Sequence, residues 1–128
     1  MTPRPSLLAA ALAACTAAAC FSEHAPNEPS GLLTCERAGE PPGPDSAFVV
    51  VSGFAFAPAE LRVAAGTEVV WINCEPAGTP GHTTTAGAGE WDSPTLSPGD
   101  AFSAIPAAGD HRYFCRVHPF MQARVIAE

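Results

Sequence analysis

The sequence predicts an all-β fold, a Greek-key sandwich of about eight short strands. Three observations predict it. Fourteen Pro and eleven Gly punctuate only 128 residues. Between them stand short runs rich in Val, Ile, Phe, Trp and Thr, the residues that suit a pleated, half-buried surface. No window carries the apolar period of a helix over the length a helix needs.

The first 20 residues stand apart from that pattern. "MTPRPSLLAAALAACTAAAC" carries one Arg and then an apolar run from Leu7 to Ala14, too short to span a bilayer and suited to an export signal. Leu12-Ala13-Ala14-Cys15 resembles a bacterial lipobox, whose Cys becomes lipid-modified. Ala17-Ala18-Ala19-Cys20 offers a second such position and also an ordinary A-x-A cleavage site. The local motif favours Cys15 and the count of cysteines favours Cys20; the reading adopted is Cys15. Either way the mature chain is exported, to the periplasm or the outer cell surface, where disulfides persist.

Residues 21–46 are rich in Pro, Glu, Ser and Gly and read as a tether. His24 in that segment reads as solvated. The globular part spans 47–128. "FVVVSGFAF" is its first β-prone run, ending before Pro58. Leu61 and Val63 alternate with Arg62 in the next, and "AAGT" turns. "EVVWIN" is a strand ending at Asn73. "HTTT" from His82 is a short β-prone piece, and 87–91 turns into another. "AFSAI" alternates, "AAGD" turns, "HRYFC" is a strand ending on Cys115, and "ARVIA" closes the chain. A core this small is marginal unless a metal or a disulfide staples it.

Composition excludes one class of partner. Thirteen Asp and Glu face six basic residues, all Arg, for a net charge of −7. No basic stripe exists for nucleic acid to bind.

The chemistry gathers in "YFCRVHPFM", where Cys115, His118 and Met121 stand three apart. His82 follows the Gly/Pro-rich loop "CEPAGTPGH", and loops at one end of a sandwich converge even when far apart in sequence. Two imidazoles, a thiolate and a thioether make a His₂Cys set with an axial Met, which suits copper. Thiolate and thioether favour Cu(I), while imidazole accepts both oxidation states, so a rigid loop lets the ion change charge with little rearrangement. Taken singly, Met121 and Cys115 would be core residues and His118 a surface residue. Their conjunction with His82 is what points to a metal. His111, at the start of its strand, reads as solvated. With Cys115 given to metal and Cys20 to lipid, Cys35 and Cys74 remain as a disulfide pair with nothing left over, whereas lipid on Cys15 leaves Cys20 as an extra thiol; the Cys35–Cys74 pair would pin the tether to the loop before His82.

These stretches resemble the cupredoxins, the blue (type 1) copper proteins of the plastocyanin and amicyanin group, from Phe48 to Ile126. "GFAFAPAELRVAAGTEVVWIN", His82-Thr83, "WDSPTLSPGDAFS" and "GDHRYFCRVHPFM" carry the likeness. The short C-x-x-H-x-x-M loop is closest to amicyanin. The resemblance implies His82, Cys115 and His118 as equatorial ligands of one copper, Met121 as axial ligand, and Asn73 as an outer partner bonded between the two ligand-bearing loops. It departs in a longer stretch between Asn73 and His82, and in Ala123 where Gly is common.

The function read from these residues is a single-electron carrier between redox protein partners, monomeric, not an enzyme, and held to a membrane only by an N-terminal lipid. His118, flanked by Val117, Pro119 and Phe120, is the expected entry point for the electron. The alternative is a protein that sequesters or delivers copper with no redox partner, although such a protein would usually expose extra Met or His and this chain has only two Met. Structural zinc ranks last because zinc sites seldom use Met. No His-x-His pair, two-Cys ligand loop or C-x-x-C-H motif supports a further metal centre or haem.

Overall fold

The computed structural model describes Cys35, Gly43 and residues 45–128. The segment read as an export signal, with Cys15 and Cys20, and most of the segment read as a tether, with His24, lie outside the described residues. Eight strands follow one another: β1 Ser46–Ser52, β2 Ala55–Ala57, β3 Glu60–Val63, β4 Glu68–Asn73, β5 Thr85–Ala86, β6 Ala101–Ala104, β7 Gly109–Phe114 and β8 Gln122–Ala127. They form two four-stranded sheets, ordered β2-β1-β4-β6 and β3-β8-β7-β5.

The "FVVVSGFAF" run divides because Gly53 and Phe54 both take positive φ, 59° and 57°. That is the two-residue turn whose twist matches a β-hairpin, and it pairs Ser52 with Ala55. Gly tolerates this backbone; Phe does not do so freely, at a cost of about 1–2 kcal/mol. Two pairings are parallel, β1 with β4 and β3 with β8. Parallel neighbours cannot be joined by tight turns, so these crossovers carry the chain between the sheets and close the sandwich. "HTTT" contributes only Thr85 to a regular strand, while His82 makes an isolated bridge to Leu96.

The core follows from period-two alternation. Val49 and Val51 of β1 and Val69 and Trp71 of β4 point inward against Tyr113 of β7 and Val125 of β8. Trp71, Trp91, Tyr113 and Phe56 form an aromatic cluster, with Trp71 and Trp91 centroids 5.2 Å apart and Phe56 and Tyr113 4.8 Å apart. Cys115 and Met121 belong to the same buried cluster, so the loop between them grows directly out of the core. Cys35 and Cys74 form a disulfide, with Cα atoms 5.5 Å apart, that ties the segment before β1 to the end of β4.

His111 is a correction to the sequence reading. It is buried, 7% exposed, with Nδ1 2.9 Å from the Glu90 carboxylate and Nε2 2.7 Å from the Ala107 carbonyl. Strand alternation explains it: His111 shares the inward face of β7 with Tyr113, and its ring lies 5.9 Å from that of Trp91.

Candidate metal centre

Local structure delivers each side chain to one end of the sandwich. Cys115 stands one residue past β7, and its loop closes when its N–H donates to the Met121 carbonyl at 3.1 Å. The Met121 N–H donates in turn to the His118 carbonyl at 2.9 Å, which fixes the turn that carries the second imidazole. His82 is locked against Leu96 by two backbone hydrogen bonds of 3.0 and 2.7 Å. Gly81 permits that approach: a Cβ there would sit 2.5 Å from Thr95 Cγ2 and 3.0 Å from the Leu96 oxygen.

Three donor atoms therefore converge. Nδ1 of His82 and Nδ1 of His118 lie 3.2 Å apart, and each is 3.9 Å from Cys115 Sγ. Three atoms so spaced lie on a circle of radius about 2.1 Å, the length of a transition-metal bond to imidazole or thiolate, ~2.0–2.3 Å. The donor set fits a metal ion without rearrangement. His82 and Cys115 are fully buried, 0% exposed, and His118 is half-buried. Met121 is buried in the same core cluster as Cys115.

The surroundings include residues the sequence did not mark. Phe54 stands edge-on to both imidazoles, 5.3 Å from His82 and 5.1 Å from His118 between centroids. Its strained backbone is held because its N–H donates to Glu75 Oε1 at 2.7 Å. The same carboxylate oxygen lies 3.3 Å from His82 Nε2, without the alignment of a hydrogen bond, and that ring nitrogen has no other polar partner. The Phe54 amide, with help from Gly53 and His82, holds the Glu75 carboxyl below its ordinary range despite burial. Burial and the neighbouring His118 push His82 down, against the pull of Glu75.

Asn73 does not bridge the two ligand-bearing loops. Its side chain donates to the Leu96 carbonyl at 2.8 Å and accepts from the Glu75 N–H at 3.0 Å, so it organises the His82 side only. Thr83 makes the bridge instead: its N–H donates to Cys115 Sγ at 3.3 Å, and its hydroxyl accepts from the Arg116 N–H at 2.8 Å. Thr83 was findable as the neighbour of His82. Glu75 and Phe54 were not, since their roles depend on contacts 7 and 28 positions from His82 along the chain.

The rim of the site is apolar. Phe120 is 71% exposed and Val117 47%, with Pro119 between His118 and Phe120. A groove of about 610 Å³ runs along the second sheet, lined by Arg112, Phe114, Pro119 and Arg124.

Comparison with known proteins agrees with this geometry. No family model matches the chain. Over 121 residues it is 32% identical to amicyanin-alpha of Methylorubrum extorquens, covering 92% of this chain and 98% of that protein. A solved structure of a reduced tryptophan-to-tyrosine variant of amicyanin is similar at TM-score 0.60 and 29% identity, over 71% of this chain and 89% of that one. A purple cupredoxin from Nitrosopumilus maritimus matches at TM-score 0.56 over 64% of this chain and 99% of that one; at 23% identity it speaks to the fold alone.

Proposed function

The chain belongs to the amicyanin group of the cupredoxin family, and from that premise we propose that it is an exported, non-enzymatic carrier of single electrons that holds one copper ion. His82, Cys115, His118 and Met121 would hold the ion. The observation that carries the reading is the buried triangle of two Nδ1 atoms and one Sγ, already at bonding radius from a common centre. Copper supplies the one-electron couple between Cu(I) and Cu(II).

The protein's own residues do the rest. Thr83 fixes the thiolate through its amide, and paired backbone bonds to Leu96 fix His82. A site so held changes little between oxidation states. Phe54, edge-on to both imidazoles, shields them from water. His118 is the donor that comes nearest to solvent, set among Val117, Pro119 and Phe120. That patch suits the small, transient contact of redox partners.

Burial also argues against copper delivery. Two of the three donors have no exposed surface, so an incoming acceptor protein could reach only the edge of His118. Export rests on the N-terminal segment and on the Cys35–Cys74 disulfide, which an oxidising compartment preserves; the lipid anchor rests on Cys15 or Cys20. The test is absorption and voltammetry of the copper-loaded protein. An intense visible thiolate-to-Cu(II) band, lost in Cys115→Ser, with a reversible one-electron wave, supports the reading. A colourless site that resists oxidation overturns it in favour of copper handling.

A further inference from the structure

Arg116 follows the thiolate ligand directly, yet its side chain does not follow the loop. It crosses to the neighbouring segment, where Nε donates to the Thr85 hydroxyl at 3.2 Å and Nη2 donates to the Ser93 carbonyl at 3.0 Å. Its Nε also stands 3.1 Å from the Asp92 carboxylate. Asp92 is placed in turn by the Thr85 hydroxyl, which donates to it at 2.8 Å. The Arg116 backbone N–H meanwhile donates to the Thr83 hydroxyl, and the Thr83 amide donates to Cys115 Sγ. One residue thus joins the ligand loop, the segment from His82 to Thr85, and the chain from Asp92 to Ser93.

Resting on the copper reading above, we infer that Arg116 and Asp92 are a pair of positioning residues that hold Thr83 on the Cys115 sulfur and set the reduction potential in opposite directions. The guanidinium is a permanent cation one residue from the thiolate, and a nearby cation disfavours the extra charge of the oxidised ion. The Asp92 carboxylate offsets it. The two side chains are about half exposed, at 48% and 56%, so the electrostatic part is screened and falls with added salt, whereas the clamp does not.

The experiment has two readouts. In the copper-free protein, hydrogen exchange at the Thr83 and Arg116 amides should quicken about fivefold in Arg116→Gln, the loss of roughly one hydrogen bond's worth of protection. It should stay near wild type in Asp92→Asn, which keeps an acceptor for Thr85. In the copper-loaded protein at low salt, Arg116→Gln should lower the potential and Asp92→Asn should raise it, each changing the reduced-to-oxidised ratio about threefold at a fixed ambient potential. Arg116→Lys should keep the wild-type potential and still lose amide protection. Shifts of the same sign in Arg116→Gln and Asp92→Asn, or no shift in either, overturn the tuning role. Unchanged exchange in Arg116→Gln overturns the clamp. Failure of wild type to show the visible band would instead count against the copper reading, which the exchange measurement does not depend on.

Discussion

The Glu75 carboxylate stands 3.3 Å from Nε2 of His82, on the far side of the imidazole from the donor triangle, and both side chains are buried. The outer nitrogen of a ligating histidine commonly faces a carboxylate, which orients the ring and makes it more basic. Here the same oxygen also holds the strained Phe54 backbone. Glu75→Gln keeps an acceptor for Phe54 and removes the charge. It should raise the reduction potential, because the oxidised ion loses more stabilisation than the reduced one. For one electron, a tenfold change in the equilibrium corresponds to ~59 mV, and a rise of that order in voltammetry is the expected result. An unchanged or lower potential would show that the carboxylate serves only to hold Phe54.

Phe120 is the most exposed large apolar side chain near His118. Phe120→Glu should slow electron exchange with the physiological partner by roughly tenfold or more, as rim charges act on docking rates. The visible spectrum should stay as it was, since the ring centroid lies 6.0 Å from that of His118. Unchanged exchange kinetics would place docking on another face.

Met121 offers a soft thioether that mildly favours Cu(I). Gln would offer an amide oxygen that suits Cu(II), and Leu would offer no ligand. The potential should therefore run Leu above Met above Gln. Equal potentials across the three proteins would make Met121 a core residue and not one of the ligands.

The disulfide closes a loop with a sequence separation of 39 between Cys35 and Cys74. Cross-linking a loop of that size restricts the unfolded chain by about 3–4 kcal/mol in the chain-entropy account. A Cys35→Ala, Cys74→Ala double variant should melt well below wild type. The loss should be larger than any surface substitution gives, and calorimetry of the copper-free proteins measures it.

Stability should also depend on pH through His111. Burial alone would lower its pKa, but the Glu90 carboxylate, the Ala107 carbonyl and nearby Asp110 outweigh it and raise the value above the ordinary 6.5. A raised folded value stabilises fully below 6.5 and is lost as pH rises through the raised value. Glu90 is held below its ordinary 4.5, chiefly by His111, so its share is present above 4.5 and is lost as pH falls. The melting temperature should therefore decline on the alkaline side of His111, and His111→Gln should flatten that decline. A wild-type curve already flat there would show that the contact carries no net stability.

The sequence by itself determined the sandwich, its strand order along the chain and the four residues nominated as metal ligands. Those features are local. Alternating apolar residues such as Val49 and Val51 declare a strand through period two, and Cys115, His118 and Met121 share one short loop. Only the tertiary structure decided what surrounds them. Phe54 reaches His82 because a hairpin turn and a parallel crossover bring the end of β1 beside the end of β4. Thr83, and not Asn73, links the His82 loop to the Cys115 loop, because the Asn73 side chain is bonded to Leu96 and Glu75. His111 is buried because Glu90, 21 positions away, satisfies its ring, a partner that no spacing along the chain announces. Backbone periodicity acts within a few residues and leaves its mark on the sequence. Hydrogen bonds between distant loops depend on where the crossovers place them, which only the folded chain defines.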